Sequence, residues 1–296
     1  MLYDINLAIN YKYETPADGG RHVFRMMPKD ISGLQRVVAA APLFAPAPAE
    51  WVKRTDFFGN DFIEADFTGS QTDMTFGVRA RVERLLTAVP EDKSVPLATL
   101  RSECAEIKTL DAVSPLHFLG PSARITLHSE IASYAQAFTS SPTALQTVVA
   151  LGQALHRDMR FDAKATTVDT PVLEAFRKRR GVCQDFTHVM IAGLRAVGIP
   201  AGYVSGFLRT DPPPGKPRLE GADAMHAWVM AWCGREAGWV EYDPTNNVFA
   251  LVNHIVVARG RDYADVSPVR GLTRMFGEQK STQKVTVTPL ERNDFS

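Results

Sequence analysis

Net charge is the first thing this chain lacks: its 33 basic and 33 acidic residues cancel. It raises no broad field that would gather phosphate backbones, so nucleic acid is not an expected partner. No apolar run approaches the roughly 18 residues needed to span a bilayer, so no membrane partner is expected either. The opening Met1-Leu2-Tyr3-Asp4-Ile5-Asn6-Leu7 has neither the basic start nor the continuous apolar stretch of a secretory signal. Cysteine is scarce. Cys104, Cys183 and Cys233 make an odd count without CxxC spacing, which argues against a disulfide framework or a zinc knuckle. HExxH is also missing, and no metal or other cofactor is expected. A cytoplasmic location fits these absences, and a reducing compartment leaves a thiol free to react.

What is present reads as a folded chain. Hydrophobic residues make up 45% and charged residues 22% of 296, enough for one large domain or two ordinary ones. The first third alternates as strands do: Ile5, Leu7, Ile9, Tyr11 and Tyr13 share one side, with Asn6, Asn10 and Lys12 opposite. His22 to Met27, Trp51 to Phe57, Phe62 to Thr68 and Thr75 to Leu85 continue the pattern, with Gly59-Asn60 as a hairpin turn. These strands predict a small antiparallel β-sandwich over residues 1–90. Residues 91–121, punctuated by Pro96, Pro115 and Pro121, read as an irregular crossing segment.

Beyond Pro121 the spacing turns helical, and residues 122–272 are expected to form the chemical domain, followed by a strand or tail over 273–296. Leu145, Val148, Val149, Ala150, Leu151 and Leu155 make one helical stripe, opened by Ser141-Pro142. Thr170-Pro171 opens a short helix that Gly181 is expected to close, and Lys178-Arg179-Arg180 reads as a solvated run at its end. A further helix begins at Cys183, buries Phe186, Val189, Met190, Ala192, Leu194 and Val197, and stops at Gly198 before Pro200. Strands follow at Gly202 to Leu208, His226 to Trp232, Gly238 to Tyr242 and Ile255 to Arg259. The Pro- and Gly-rich stretch Asp211 to Gly221 is a long loop of the kind that rims a site.

Three residues in this region carry chemistry. A protonated thiol is a weak nucleophile, and a helix N-terminus together with an imidazolium makes it a useful one. Cys183 opens a helix, where unpaired N–H groups present partial positive charge. His226 starts one strand and Asp243 ends the next, so antiparallel pairing would set the carboxylate beside the ring and fix its tautomer. Simpler readings exist for each: an inert core cysteine, a satisfied strand histidine, an ordinary turn acid before Pro244. Asp185 reads as a capping acid, His188 as packing against the helix surface, and Cys104 and Cys233 as structural. Trp228 is a core or pocket-lining residue, and Gln184 a candidate donor to an oxyanion.

Gly181-Val182-Cys183-Gln184-Asp185-Phe186 with Gly198-Ile199-Pro200-Ala201 resembles the cysteine block of the transglutaminase-like superfamily. His226-Ala227-Trp228 resembles its histidine block and Asp243-Pro244-Thr245-Asn246-Asn247 its aspartate block, in the same order. Gly260 to Pro268 is similar to a downstream segment of the bacterial branch, which also begins with a small β domain. After Val229 this chain has Met230, where the family commonly has an acid. The resemblance implies an α+β fold: a papain-like core, with the nucleophile helix on an antiparallel sheet, behind an N-terminal β-sandwich. It also implies a Cys183–His226–Asp243 triad cutting or transferring a peptide or glutamine-type amide through a thioester, with a peptide or protein as substrate. For a chain with this N-terminal domain, peptidase or amidase chemistry is favoured over cross-linking. The alternative is a member that binds peptide or protein without turnover. The oligomeric state is not fixed by the sequence.

Overall fold

A computed structural model describes residues 1–85, 88–89, 91–210, 221 and 223–290. In chain order it has β1 (Leu2–Asp18), β2 (Arg21–Phe24), β3 (Gln35–Ala45), β4 (Glu50–Thr55), β5 (Asp61–Asp66) and β6 (Ser70–Arg84). After these come α1 (Leu97–Ala105), a 3₁₀ turn at Pro115–Phe118, α2 (Ser129–Gln136), α3 (Ala144–Asp158), β7 (Arg160–Phe161) and α4 (Val172–Lys178). The chemical region is built from β8 (Arg180–Gly181), α5 (Cys183–Ala196), β9 (Ala201–Leu208), β10 (Ala224–Trp232), β11 (Trp239–Asp243) and β12 (Val248–Phe249). The remaining elements are β13 (His254–Gly260), α6 (Tyr263–Val266), β14 (Val269–Gly271) and β15 (Gln279–Leu290). No helix among the described residues is long and apolar enough to cross a membrane.

The alternation read in β1 is real: Ile5, Leu7, Ile9 and Tyr13 are buried, and each neighbour along the strand faces outward or is half-covered. Two antiparallel four-stranded sheets form the N-terminal sandwich, in the orders β15-β1-β6-β3 and β14-β2-β5-β4. Phe24, Phe67 and Phe76 interlock between them, with Phe24 and Phe76 centroids 4.6 Å apart. The last long strand therefore completes the first sheet, with β15 running antiparallel to β1 from Leu2↔Leu290 to Tyr13↔Gln279.

The chemical region is a five-stranded antiparallel sheet, β12-β11-β10-β9-β13, with α5 against β9 and β10 and α3 against β11. Polar side chains of the sandwich dock onto its β13 edge. Gln35 is buried, accepts the Val256 N–H at 2.8 Å and donates to the Val256 carbonyl at 2.8 Å. Asn60 clasps both backbone groups of Arg259 in the same way.

Besides several short pieces, three longer elements are additional to the sequence reading. Strand β3 is an edge strand running through Ala39-Ala40-Ala41-Pro42, without a clean inside–outside rhythm. Helix α1 occupies the segment expected to be irregular and buries only Leu100 and Cys104. Helix α2 buries only Ile131 and Ala135. The close of α4 also differs: the left-handed residue is Arg179 (φ 52°), not Gly181. Its guanidinium lies 4.0 Å from the Phe176 ring centroid and 5.0 Å from that of Tyr134, so this part of the basic run is stacked on aromatic rings, not merely solvated. Gly198, at φ 87°, ends α5 as expected. Of the anticipated rim loop, residues 211–220 lie outside the described set.

Candidate active site

The site is staged by a short parallel pair. Phe161 of β7 lies opposite Gly181 of β8, and the Asp162 N–H donates to the Gly181 carbonyl at 2.9 Å. Two residues later α5 starts. Its entry is fixed by Asp185, whose Oδ2 accepts the Val182 N–H and the Thr166 hydroxyl, each at 2.7 Å. An acid in the first turn also suits the helix dipole. This closure explains Gly181, because a Cβ there would stand 2.3 Å from the Asp185 carboxylate oxygen. Burial pushes the Asp185 carboxyl upward, against the lowering effect of its two donors. Cys183 is thus the first residue of α5, half-buried at the edge of the core.

His226 and Asp243 meet diagonally just past the end of the β10–β11 ladder, which runs from Val229↔Tyr242 to Trp232↔Trp239. His226 Nε2 lies 2.7 Å from Asp243 Oδ2, with the acid fully buried and the histidine 8% exposed. Cys183 lies close enough to His226 to act on the protonation of its ring, and with Nε2 engaged by the acid, Nδ1 is the ring nitrogen left for sulfur. Burial alone would lower the His226 pKa, but the hydrogen bonds and charges of Asp243 and Cys183 outweigh it and raise it to about 10. Asp243 shows the complementary effect. Burial would raise its pKa, yet His226 and His254 hold it far below the usual carboxylate range. Burial lifts the Cys104 thiol to about 11 and the Cys233 thiol to about 12.

Asp243 is also the turn residue that Pro244 announces. Its Oδ1 accepts the backbone N–H groups of Thr245 (2.9 Å) and Asn246 (3.2 Å). Oδ2 accepts the Asn246 amide at 2.7 Å and faces His254 Nε2 at 3.1 Å, besides His226. Neither Asn246 nor His254 was assigned a part in this cluster from sequence. The Asp-Pro-Thr-Asn turn was a signal for the first, whereas His254 reaches the acid from β13, at the opposite edge of the sheet. The atoms His226 Nε2, Asp243 Oδ2 and His254 Nε2 lie within 4.8 Å of one another. This is a donor set that could hold a divalent ion, although each atom is already bonded within the cluster.

The remaining sequence candidates take supporting places. Gln184 donates its side-chain amide to the Val168 carbonyl at 3.0 Å. Trp228 is fully buried, gives its indole N–H to Glu241 at 2.8 Å, and stacks near His226 at 6.2 Å between centroids. That commits Trp228 to the core behind the histidine and leaves its N–H unavailable to an oxyanion. Its ring fits over β9 because Gly206 has no side chain; a Cβ there would meet the indole at 2.4 Å. Met230 lies opposite Glu241, so the buried carboxylate on this face comes from the next strand, where Arg259 also pairs with it. His188 is buried and not on the helix surface, accepting the Tyr263 N–H at 3.2 Å.

Comparison with known proteins agrees with this architecture. Residues 132–244 match the model of the transglutaminase-like superfamily, and residues 3–83 match that of the bacterial transglutaminase-like N-terminal region. An uncharacterized protein of Mycobacterium bovis is 34% identical over 270 residues, covering 87% of this chain and 83% of its own. A protein-glutamine gamma-glutamyltransferase of Pseudomonas aeruginosa is 35% identical over 107 residues, 33% of this chain but 16% of that one. The crystal structure of a proposed cysteine protease from Cytophaga hutchinsonii shares the fold, with a TM-score of 0.76 at 22% identity over 100% of this chain and 92% of that one. The chain belongs to the transglutaminase-like superfamily of papain-like cysteine enzymes, in the form that carries the bacterial N-terminal region.

Proposed function

We propose that this protein is a cysteine peptidase or amidase in which Cys183, His226 and Asp243 act on a peptide or glutamine-type amide. The observation that carries this reading is the His226 ring held at 2.7 Å by a buried carboxylate, with the half-buried thiol at the start of α5 close enough to act on that ring's protonation. His226 takes the thiol proton, and the Cys183 thiolate attacks the amide carbonyl carbon. The Asp185 and Phe186 N–H groups turn back to the Val182 carbonyl, so those of Cys183 and Gln184 are placed to receive the developing oxyanion. When the C–N bond breaks, the His226 imidazolium gives its proton to the departing amine and a thioester remains. Water, deprotonated by His226, then attacks the thioester, and the thiol is released. Asp243 holds the ring in one tautomer throughout. Transfer to an acceptor amine would follow the same path with the amine in place of water, as the name of the Pseudomonas relative indicates for that protein.

A non-catalytic binding role is the less favoured reading, because Cys183 is not sealed in the core and lies close enough to His226 to act on its protonation. The test is alkylation by iodoacetamide between pH 5 and 9. Cys183 should react well below the free-thiol range of about 8.5, ahead of Cys104 and Cys233, and His226→Ala should remove that advantage. An inert Cys183 would end the enzymatic reading. Peptide libraries read by mass spectrometry then separate hydrolysis from transamidation.

A further inference from the structure

We infer that His254 is a positioning residue of this centre: its Nε2–H, given to the same carboxylate oxygen that receives His226, fixes where that oxygen stands and thereby the plane of the ring facing Cys183. The inference rests on the proposed cysteine chemistry. A carboxylate can pivot about its Cβ–Cγ bond, and an imidazole anchored to a pivoting oxygen would wander from the sulfur. Here Oδ1 is tied by the backbone N–H groups of Thr245 and Asn246. Oδ2 is tied by three donors from three parts of the fold: His226 at 2.7 Å from β10, Asn246 at 2.7 Å from the turn, and His254 at 3.1 Å from β13.

His254 is itself held. It is 4% exposed, its backbone N–H donates to Leu251, and the Trp228 ring meets its imidazole edge-on at 5.1 Å. The same Trp228 lies beside His226, so one indole spaces the two histidines while one oxygen joins them. The two rings stand 6.1 Å apart between centroids. A buried histidine aimed at a carboxylate that already has four other donors adds little to folding that an apolar side chain could not supply. Its use is to restrain the acid. The groups facing His226 are Cys183 from α5, Asp243 from β11 and Asn246 from the turn; those facing Asp243 add Tyr242 and His254.

The experiment compares the full chain with His254→Leu, which removes the donor, and His254→Gln, whose side-chain amide nitrogen can reach a similar place. The readout is the rate of Cys183 alkylation by iodoacetamide against pH, with melting temperature measured alongside. His254→Leu should lower the neutral-pH rate on the order of tenfold. With one donor fewer on Oδ2, the His226 imidazolium is gripped more tightly, so the alkaline limb should rise by roughly half a pH unit or more. His254→Gln should restore both. If His254→Leu lowers the melting temperature but leaves the limb where it was, or if His254→Gln matches His254→Leu, His254 is only structural and the inference falls. Nitrogen NMR of the unmutated histidines decides the matter even if a variant does not fold: His254 must carry its proton on Nε2, and a proton found only on Nδ1 refutes the donation. An unmutated Cys183 without enhanced reactivity would defeat the proposed function itself. An activated Cys183 indifferent to His254 would defeat this inference alone.

Discussion

Replacing Asp243 by asparagine is the sharpest perturbation the site offers, because five N–H groups converge on two oxygens. An amide has only one oxygen. Turned with its nitrogen toward Oδ2, it opposes three donors; turned the other way, it opposes the two backbone groups of the turn. The second orientation costs less, yet it leaves two partly buried donors unsatisfied at about 1–3 kcal/mol each when water does not reach them, so unfolding should become easier by up to roughly 2–6 kcal/mol. The surviving oxygen is neutral, so the imidazolium also loses a charge-assisted bond worth about 1.5–3 kcal/mol. At 1.36 kcal/mol per tenfold, the reactive thiolate–imidazolium pair should fall by roughly ten- to 150-fold. Urea unfolding gives the first figure, and Cys183 alkylation at pH 6.5 gives the second. Asp243→Asn reacting within about threefold of the parent would refute the claim that a buried anion supports the ring.

Two further expectations follow from the same geometry. Because the His226 pKa is raised, its proton is retained above the ordinary imidazole range and lost only as pH climbs toward about 10; Cys183 alkylation should therefore show no inflection near pH 6.5, and one found there in a pH series would contradict the pairing. Gly181→Ala places a Cβ 2.3 Å from the Asp185 carboxylate, so it should destabilise the protein by about 1–3 kcal/mol in denaturant titration and slow Cys183 labelling; parental stability would mean that Asp185 does not close the helix entry as described.

Legibility in the sequence followed the range of the interactions. Alternation in β1 and the stripes of α3 and α5 are local patterns, and they correspond to buried faces. Cys183 and Asp243 stood out because one opens α5 and the other ends β11, and His226 because it lies near the start of β10; the sheet brings the last two together. His254 did not stand out: it comes from β13, separated from the Asp243 strand in the sheet by β10 and β9, and nothing in Asn253-His254-Ile255 signals a buried donor. Strand β3 was hidden because an edge strand of alanines need not alternate. The Arg179 cap was hidden because the stacking that supports its left-handed backbone comes partly from Tyr134, on α2.

The pairing of β1 with β15 has a consequence for how the chain reaches this state. Tyr3, Ile5 and Leu7 are made well before Val285, Val287 and Pro289, and find them opposite only when everything between has been made. Closing so long a loop costs little more than closing a moderate one, since the entropy grows only as its logarithm, but it delays the event. The amino-terminal sheet should therefore acquire its final strand late, after the cysteine helix and its sheet can already have packed. Deletions at the carboxyl end should be felt first at the opposite terminus, as a bared β1 edge.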